Sequence, residues 1–208
     1  MATRLAGSDV KAVHITADSQ ALDADGISTA AAVGNNAALT IGGALASGGS
    51  CTFDAGRIVT ILSAGNDSSK SFTVVGTDVN GDSQTESVTG ANAGTATSSK
   101  YFKTIASITA VGNPAGNVSA GINASAADAI FTMRSRLKGM FLTSTATAGE
   151  IDFLTSSPTG TSIMKLNSVS DADATRDVTI PNEGVVFTSG IYIQYTVSTF
   201  LTMTVFHA

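Results

Sequence analysis

The feature that most limits the fold of this chain is a series of short apolar segments separated by glycine, asparagine and serine turns. From residue 57 onward these segments are rich in β-branched residues, as in RIVTILSAG at 57–65 and SFTVVGT at 71–77. β-Branched residues favour strands, and Gly and Asn allow the chain to reverse. No helix-length amphipathic pattern lies between the segments. Strands at this spacing predict an all-β sandwich or barrel.

The segments fall into two sets. They predict two tandem antiparallel β-sandwich-like domains with short Gly, Asn and Ser turns. We place an N-terminal β-domain at residues 1–128 and a C-terminal β-sandwich domain at 129–208, with the boundary near ASAADA at 124–129. A chain of 208 residues is long enough to bury two cores. Residues 1–56 are rich in Gly and Ala, so the N-terminal domain is expected to include an extended arm.

The last two segments are expected to form a terminal strand pair. They are IYIQYTV at 191–197 and FLTMTVF at 200–206. Alternation in the second segment places Leu201, Met203 and Val205 on one face of the strand. This period of two is expected when one face of a strand lies in the core.

Composition excludes several classes of function. The net charge is −5 and the pI is about 4.8, so nucleic acid is not expected as a main partner. Cys51 is the single cysteine, which excludes an internal disulfide framework and a cysteine-rich zinc cluster. No run of about 18 apolar residues occurs, so no transmembrane helix is expected. The N-terminal MATRLAGSDV lacks the apolar stretch of a secretory signal.

Catalytic motifs are absent from the sequence. His14 and His207 are the two histidines, and we interpret both as surface or packing residues. The sequence contains no nucleophile elbow, zinc-protease motif or phosphate-binding glycine loop. Carboxylate pairs such as Glu150 and Asp152 occur, but the chain has no Trp and only three Tyr to line a sugar cleft. We therefore predict a non-enzymatic protein with no catalytic residues, no cofactor and no metal site.

The stretch GTDVNGDSQTE at 76–86 has two interpretations. Asp78, Asn80 and Asp82 stand at positions 1, 3 and 5 of a potential calcium loop, but positions 6 and 12 lack the required Gly and Glu. Asn80-Gly81 is instead the signal of a two-residue hairpin turn. A hairpin tip is favoured, with either that turn or a longer loop with a shifted register.

MRSRLK at 133–138 is the one clustered basic feature. Arg134, Arg136 and Lys138 alternate, so on a strand they project from one face. The same pattern suits a charged solvent face or edge strand, where Lys and Arg block unwanted pairing. It also suits electrostatic contact with an acidic partner protein. These three residues are the predicted partner-contact face.

Two parts of the chain resemble segments of tailed-bacteriophage virion proteins. The central part carries the resemblance in SAGND (63–67), FTVVGTDVNGD (72–82), ESVTGANAGT (86–95) and YFKTIASITA (101–110). The C-terminal part carries it in LKGMFLTSTATAGEIDFLTSS (137–157) and IPNEGVVFTSGIYIQYT (180–196). Together they cover over half of the chain.

The resemblance implies a virion structural protein that is assembled in the host bacterial cytoplasm. The first expectation is a capsid-surface decoration, or cement, protein that binds the assembled head lattice and stabilises it. Its partners would be the major capsid protein or other virion proteins, and it would be a homo-oligomer, with a trimer as the expected state. The alternative is a tail-associated fibre, spike or collar component that contacts the host surface or the tail machinery.

Overall fold

The computed structural model describes residues 10–16, 23–122, 127–181, 183–196 and 199–208. These residues form sixteen β-strands and no helix, so none contributes a helix that could cross a membrane. The strands are β1 (Lys11–Thr16), β2 (Asp23–Ala32), β3 (Ala46–Ser47), β4 (Ser50–Ser63), β5 (Ser71–Thr77), β6 (Ser83–Thr89), β7 (Thr95–Val111), β8 (Asn117–Ile122), β9 (Ala127–Phe131), β10 (Ser135–Ser144), β11 (Glu150–Thr155), β12 (Thr161–Asn167), β13 (Thr175–Thr179), β14 (Val185–Phe187), β15 (Ile191–Tyr195) and β16 (Phe200–His207). The predicted all-β fold is confirmed.

The strands form two antiparallel sheets. The smaller has five strands in the order β1-β16-β10-β13, with β14 also paired to β10. The larger has eleven strands, and its main path runs β12-β11-β15-β9-β4-β7-β5-β6. Beside that path, β3 and β8 pair with β4, and β2 pairs with β8. β4 is therefore the strand at which the paths of the larger sheet meet.

Two hydrophobic cores hold the sheets together. The first core packs side chains of β4, β5, β7 and β8, including Ile61, Phe72 and Phe102. The second core lies between the five-stranded sheet and the β9-β15-β11 end of the larger sheet, and includes Leu142 and Phe153. Each large apolar side chain removed from water contributes about 1.5–3 kcal/mol, so both cores stabilise the fold substantially.

β1 packs with the second core, although it lies near the N-terminus. It pairs along its whole length with β16, and Ile15 is fully buried in the second core. Ile27, only twelve positions later, is fully buried in the first core. The chain thus contributes β1 to the second core before it builds the first. The division into 1–128 and 129–208 stays a prediction.

Part of the expected N-terminal arm is packed rather than extended along a partner. Ile27, Leu39 and Phe53 are buried in the first core. Residues 1–9 and 17–22 of the expected arm, and 124–126 of the expected boundary, lie outside the described residues.

The expected terminal strand pair is wrong. β15 lies between β9 and β11 in the larger sheet, whereas β16 lies between β1 and β10 in the smaller one. Alternation shows which face of a strand is apolar but not which strand is its neighbour. The face assignment in β16 holds for Met203 and Val205, which are buried, but Leu201 is 42% exposed. The pairing of β16 with β10 shifts register between Thr143 and Ser144, next to Leu201. Phe200, on the other side of this shift, is buried.

The assignment of β1 to the second core can be tested with two matched variants. Ile15→Ala and Ile27→Ala each remove a buried side chain and should cost about 2–5 kcal/mol of unfolding free energy. Hydrogen exchange should accelerate mainly in β10 and β16 for Ile15→Ala, and mainly in β4 and β8 for Ile27→Ala. An identical exchange pattern in both variants would contradict the assignment to separate cores.

Candidate functional site

Two of the three predicted contact residues lie on one face of β10. Arg136 and Lys138 alternate with the buried Leu137, so they project away from the second core. Arg136 Nη1 and Lys138 Nζ donate to the carbonyl oxygen of Glu183 at 3.4 and 3.0 Å. Arg134 precedes β10 in a bend and does not share its alternation. Whether the three residues contact a partner stays a prediction.

The side of the five-stranded sheet that faces away from the second core is a surface of mostly short side chains. Registers between neighbouring strands align its positions in three rows across β1, β16, β10 and β13. We call this surface the outer sheet face, and its residues are Thr16, Thr202, Thr143 and Thr175 in one row, His14, Thr204, Phe141 and Asp177 in the next, and Ala12, Phe206, Gly139 and Thr179 in the third.

The outer sheet face combines an exposed aromatic side chain with short neighbours. Phe141 stands in the middle row and is 40% exposed. Six of the twelve positions are Thr, which orders with little loss of rotamer freedom. His14 Nδ1 and Thr204 Oγ1 are 2.9 Å apart across the strands, and Asp177 is the only acidic residue of the twelve. An exposed aromatic side chain such as that of Phe141 is of the kind enriched at protein–protein interfaces.

The hairpin tip has a five-residue loop rather than a two-residue turn. Thr77 pairs with Ser83, so residues 78–82 form the loop, and the two-residue alternative is wrong. Asp78 explains the longer loop. Its Oδ1 accepts hydrogen bonds from the backbone N–H groups of Asn80 at 2.8 Å and Asp82 at 3.0 Å. These bonds form an Asx turn that outweighs the preference of the Asn-Gly pair.

The tip also contacts the chain near the second core. Asn80 Nδ2 donates to Thr132 Oγ1 at 2.6 Å and to Asp78 Oδ2 at 3.0 Å. Thr132 Oγ1 donates to the same carboxylate oxygen at 3.3 Å. One carboxylate oxygen of Asp78 therefore holds the loop backbone, and the other accepts the bonds that join the loop to Thr132. Among the described residues no group of three or more His, Cys, Asp or Glu side chains is placed to hold a metal ion.

The other residues considered for chemistry, namely His207, Cys51, Glu150 and Asp152, are buried in packing contacts or paired with a neighbouring charge. His207 is buried, with its ring 4.8 Å from that of Phe131 and its Nδ1 3.1 Å from Ser135 Oγ. Burial, followed by the charge of Lys11, lowers the pKa of His207. Cys51 is also buried, and burial raises the pKa of its thiol. Glu150 and Asp152 flank Lys165, with Nζ to carboxylate distances of 2.6 and 3.4 Å.

A buried charged cluster lies where the two cores meet. Arg57 of β4 forms ion pairs with Asp54, at 2.6 Å, and with Asp128 of β9. Asp128 is 0% exposed, and its Oδ2 accepts a hydrogen bond from Tyr195 Oη of β15 at 3.0 Å. Lys103 Nζ donates to the backbone oxygen of Asp54 at 2.7 Å. We call Asp54, Arg57, Asp128 and Tyr195 the junction cluster.

Burial governs the protonation of the junction cluster. Desolvation raises the pKa of Asp128 to about 6, against the opposing effects of Arg57 and of the Tyr195 hydrogen bond. Desolvation also acts to lower the pKa of Arg57, but the charges of Asp128 and Asp54 outweigh it, and that pKa is raised. Arg57 therefore stays charged, while the carboxyl of Asp128 accepts a proton more readily than an exposed one does.

Sequence reasoning did not find the junction cluster. Arg57 begins the apolar run RIVTILS and reads as a polar residue at the edge of a strand, and Asp128 lies in the low-complexity ASAADA. The two positions are 71 residues apart, and neither belongs to a spaced motif. The one signal of the cluster in the sequence is a charged residue, Arg57, beside a long apolar run.

A groove lies at the surface between β7, which belongs to the first core, and β15, which belongs to the second. It consists of two adjoining pockets of about 260 and 300 Å³, which share Ser99, Tyr101 and Ser157. Tyr101 of β7 and Tyr192 of β15 meet edge to face with ring centroids 5.6 Å apart. We call this space the junction groove. Its remaining polar walls include Asp78, Gln84 and Lys100 in the first pocket and Thr97, Thr159 and Gln194 in the second.

Comparisons with known proteins do not assign a family. No protein-family model, curated protein or solved structure matches the chain.

Asp78 should stabilise the hairpin tip without metal. Asp78→Ala removes the acceptor of four hydrogen bonds, three of them half-buried, and should lower the unfolding free energy by about 1–3 kcal/mol. Asp82→Ala is the matched control, because only the backbone of Asp82 takes part in the loop bonds, and it should change stability by less than about 0.5 kcal/mol. Calcium should leave the melting temperature of the unmodified protein unchanged. A calcium-dependent rise that Asp78→Ala abolishes would restore the metal interpretation.

Arg57→Met should expose the electrostatic role of the junction cluster. At pH 7 the variant leaves a buried carboxylate without its cation and should lose about 3–5 kcal/mol of unfolding free energy in urea. Because the folded-state pKa of Asp128 is raised, the folded chain holds this proton more tightly than the unfolded chain does. The Asp128 contribution to stability is therefore full below the ordinary carboxyl range and is lost as pH rises through the folded pKa. Because the Arg57 charge opposes the rise of the Asp128 pKa, its removal should raise that pKa further. The variant therefore gains more from protonation than the unmodified protein does, and the loss in Arg57→Met should shrink from pH 7 to pH 5.

The double variant Arg57→Met/Asp128→Asn is the control for that pH dependence. It has no carboxyl to protonate at position 128, so the single variant should gain stability relative to it as the pH falls. A difference between the two variants that stays constant over this range would contradict the account of the cluster.

Proposed function

We propose that this chain is a non-enzymatic virion structural protein that decorates the surface of a bacteriophage head. The resemblance of its central and C-terminal segments to virion proteins supports this proposal. The architecture suits the role, because an antiparallel sheet with a second core beneath it presents a preformed surface to a partner. The proposed partner is the major capsid protein, and the proposed location is the outside of the assembled particle.

The outer sheet face is the observation that carries the proposal. It offers Phe141 as an aromatic anchor, and half of its positions are Thr. Few long side chains would need to be ordered there, so burial of this surface would lose little conformational entropy. Aromatic anchors at the centre of an interface commonly contribute much of the binding free energy. Arg136 and Lys138 project on the same side of β10 and supply a positive border toward an acidic capsid surface.

Stabilisation of the head follows from mass action. A protein that binds the assembled lattice but not the free subunits shifts the equilibrium toward assembly. Weak contacts suffice when many copies bind, and a homo-trimer that engages several lattice sites gains from its high effective concentration. We propose a trimer placed at local symmetry axes of the lattice. The acidic net charge of −5 favours colloidal stability of the unbound protein.

Copy number on purified particles tests the decoration role. We expect hundreds of copies on the head, as quantified by mass spectrometry against the major capsid protein. A few copies at the tail vertex would contradict decoration and support the tail-associated alternative. Particles that lack this protein should also lose their genome at lower temperature than complete particles. Equal heat resistance would contradict the cement role.

Phe141→Asp tests the proposed docking surface. The variant places a charge at the exposed aromatic position and should reduce occupancy on particles at least tenfold, because a hot-spot substitution costs about 2 kcal/mol or more of binding free energy. Val111→Asp is the matched control, since Val111 is an exposed apolar residue of β7 outside the outer sheet face. Control occupancy should match that of the unmodified protein. Equal loss in both variants, or in neither, would contradict docking through the outer sheet face.

A further inference from the structure

The junction groove presents hydrogen-bonding groups that no described residue engages. The side-chain hydroxyls of Tyr101 and Tyr192 and the side-chain amide of Gln194 have no hydrogen-bond partner among the described residues. Tyr192 is only 8% exposed, yet it lines the groove. Burial raises the pKa of both groove tyrosines further above neutral pH, where a tyrosine hydroxyl is already a protonated donor. These groups come from β7 and β15 and converge on one space.

The groove walls are held in position by bonds behind them. Gln84, which lines the groove, donates from Nε2 to the backbone oxygen of Tyr101 at 2.5 Å. Ser99 N and Oγ both donate to Glu86 Oε1 at 2.7 Å. On the opposite wall, Ser156 has a positive φ of 75° and begins the segment that carries Ser157.

The groove does not offer charge to a ligand. Among the described residues, Asp78 and Lys100 are the two charged ones that line it. Both oxygens of Asp78 accept bonds from the hairpin tip, and Lys100 Nζ donates to the backbone oxygen of Thr85 at 2.8 Å. An anionic ligand such as a phosphate would meet no unengaged cation there. Among the described lining residues only Ile58, Ala127 and Pro158 are aliphatic, so the apolar surface of the groove is interspersed with hydroxyl and amide groups.

We propose that the junction groove binds an uncharged glycan. Hydroxyl and amide groups from both walls match the alternating donors and acceptors of a sugar, and the Tyr101 ring supplies an aromatic surface for its C–H groups. Two adjoining pockets of about 260 and 300 Å³ favour a short oligosaccharide over a single sugar unit. Two of the three tyrosines of the chain lie here, which concentrates its few aromatic hydroxyls in one place.

The glycan site is independent of the docking role proposed above. The junction groove and the outer sheet face share no residue, so one surface can bind a lattice while the other binds a sugar. Failure of one proposal would therefore leave the other standing. On a particle, many copies would turn weak glycan contacts into firm attachment to a glycan-coated surface.

Saturation-transfer NMR with the full chain tests the glycan proposal. The probes are five neutral trisaccharides, namely maltotriose, cellotriose, laminaritriose, mannotriose and N,N′,N″-triacetylchitotriose, with trigalacturonic acid as the charged comparator. We expect transfer to at least one neutral trisaccharide and none to the charged one. Transfer to none of the five, or stronger transfer to the charged comparator, would overturn the proposal.

Hydroxyl-deletion variants locate the site. Tyr101→Phe and Tyr192→Phe retain the rings and should each weaken binding by roughly threefold to tenfold, as expected for one lost hydrogen bond. Thr89→Val deletes an exposed hydroxyl of β6 outside the groove and should leave glycan affinity unchanged, with circular dichroism used to establish that each variant is folded. Affinity that falls equally in all three variants, or in none, would contradict a site in the junction groove.

Discussion

The contact between Arg57 and Asp128 is the interaction on which the arrangement of the two cores depends. It joins β4 to β9 where the backbone pairing between them amounts to Gly56 with Ala129. Both side chains are nearly removed from water, so separating them would leave a charge without its partner in a medium of low polarity. Tyr195 holds the second oxygen of Asp128 and ties β15 into the same contact. A pair of this kind adds little to stability compared with an apolar substitute, but any arrangement that separates the two charges leaves one of them buried without a partner.

The proposed surfaces follow from that alignment. β4 carries side chains of the first core along most of its length and contributes Ala55 to the second. With β4 fixed against β9 and β15, Tyr101 and Tyr192 meet across the junction and line the groove. The hairpin tip adds a second link, since Asn80 bonds to Thr132 on the far side. β1 belongs to the sheet that covers the second core, and its pairing with β16 completes the outer sheet face. Shape at both surfaces is therefore determined by contacts between segments distant in sequence.

Sequence patterns predicted the strands better than their neighbours. β5 begins and ends where the pattern SFTVVGT does, because alternation and turn residues are local signals. The partners of β1, β15 and β16 could not be predicted, since an apolar face does not specify which strand lies beside it. The sequence allowed either a two-residue turn or a longer loop at the hairpin tip, and the hydrogen bonds accepted by the Asp78 side chain favour the longer one. For the candidate site, alternation placed Arg136 and Lys138 correctly on one face of β10 but not Arg134. The junction cluster and groove lay beyond prediction because they assemble residues from several strands.

Cryo-electron microscopy of purified particles tests the central claim, decoration of a phage head through the outer sheet face, most directly. The account predicts regular density on the head lattice into which both cores fit, with the outer sheet face toward the capsid and the junction groove toward solvent. Density confined to the tail, or head density with the outer sheet face turned to solvent, would contradict it.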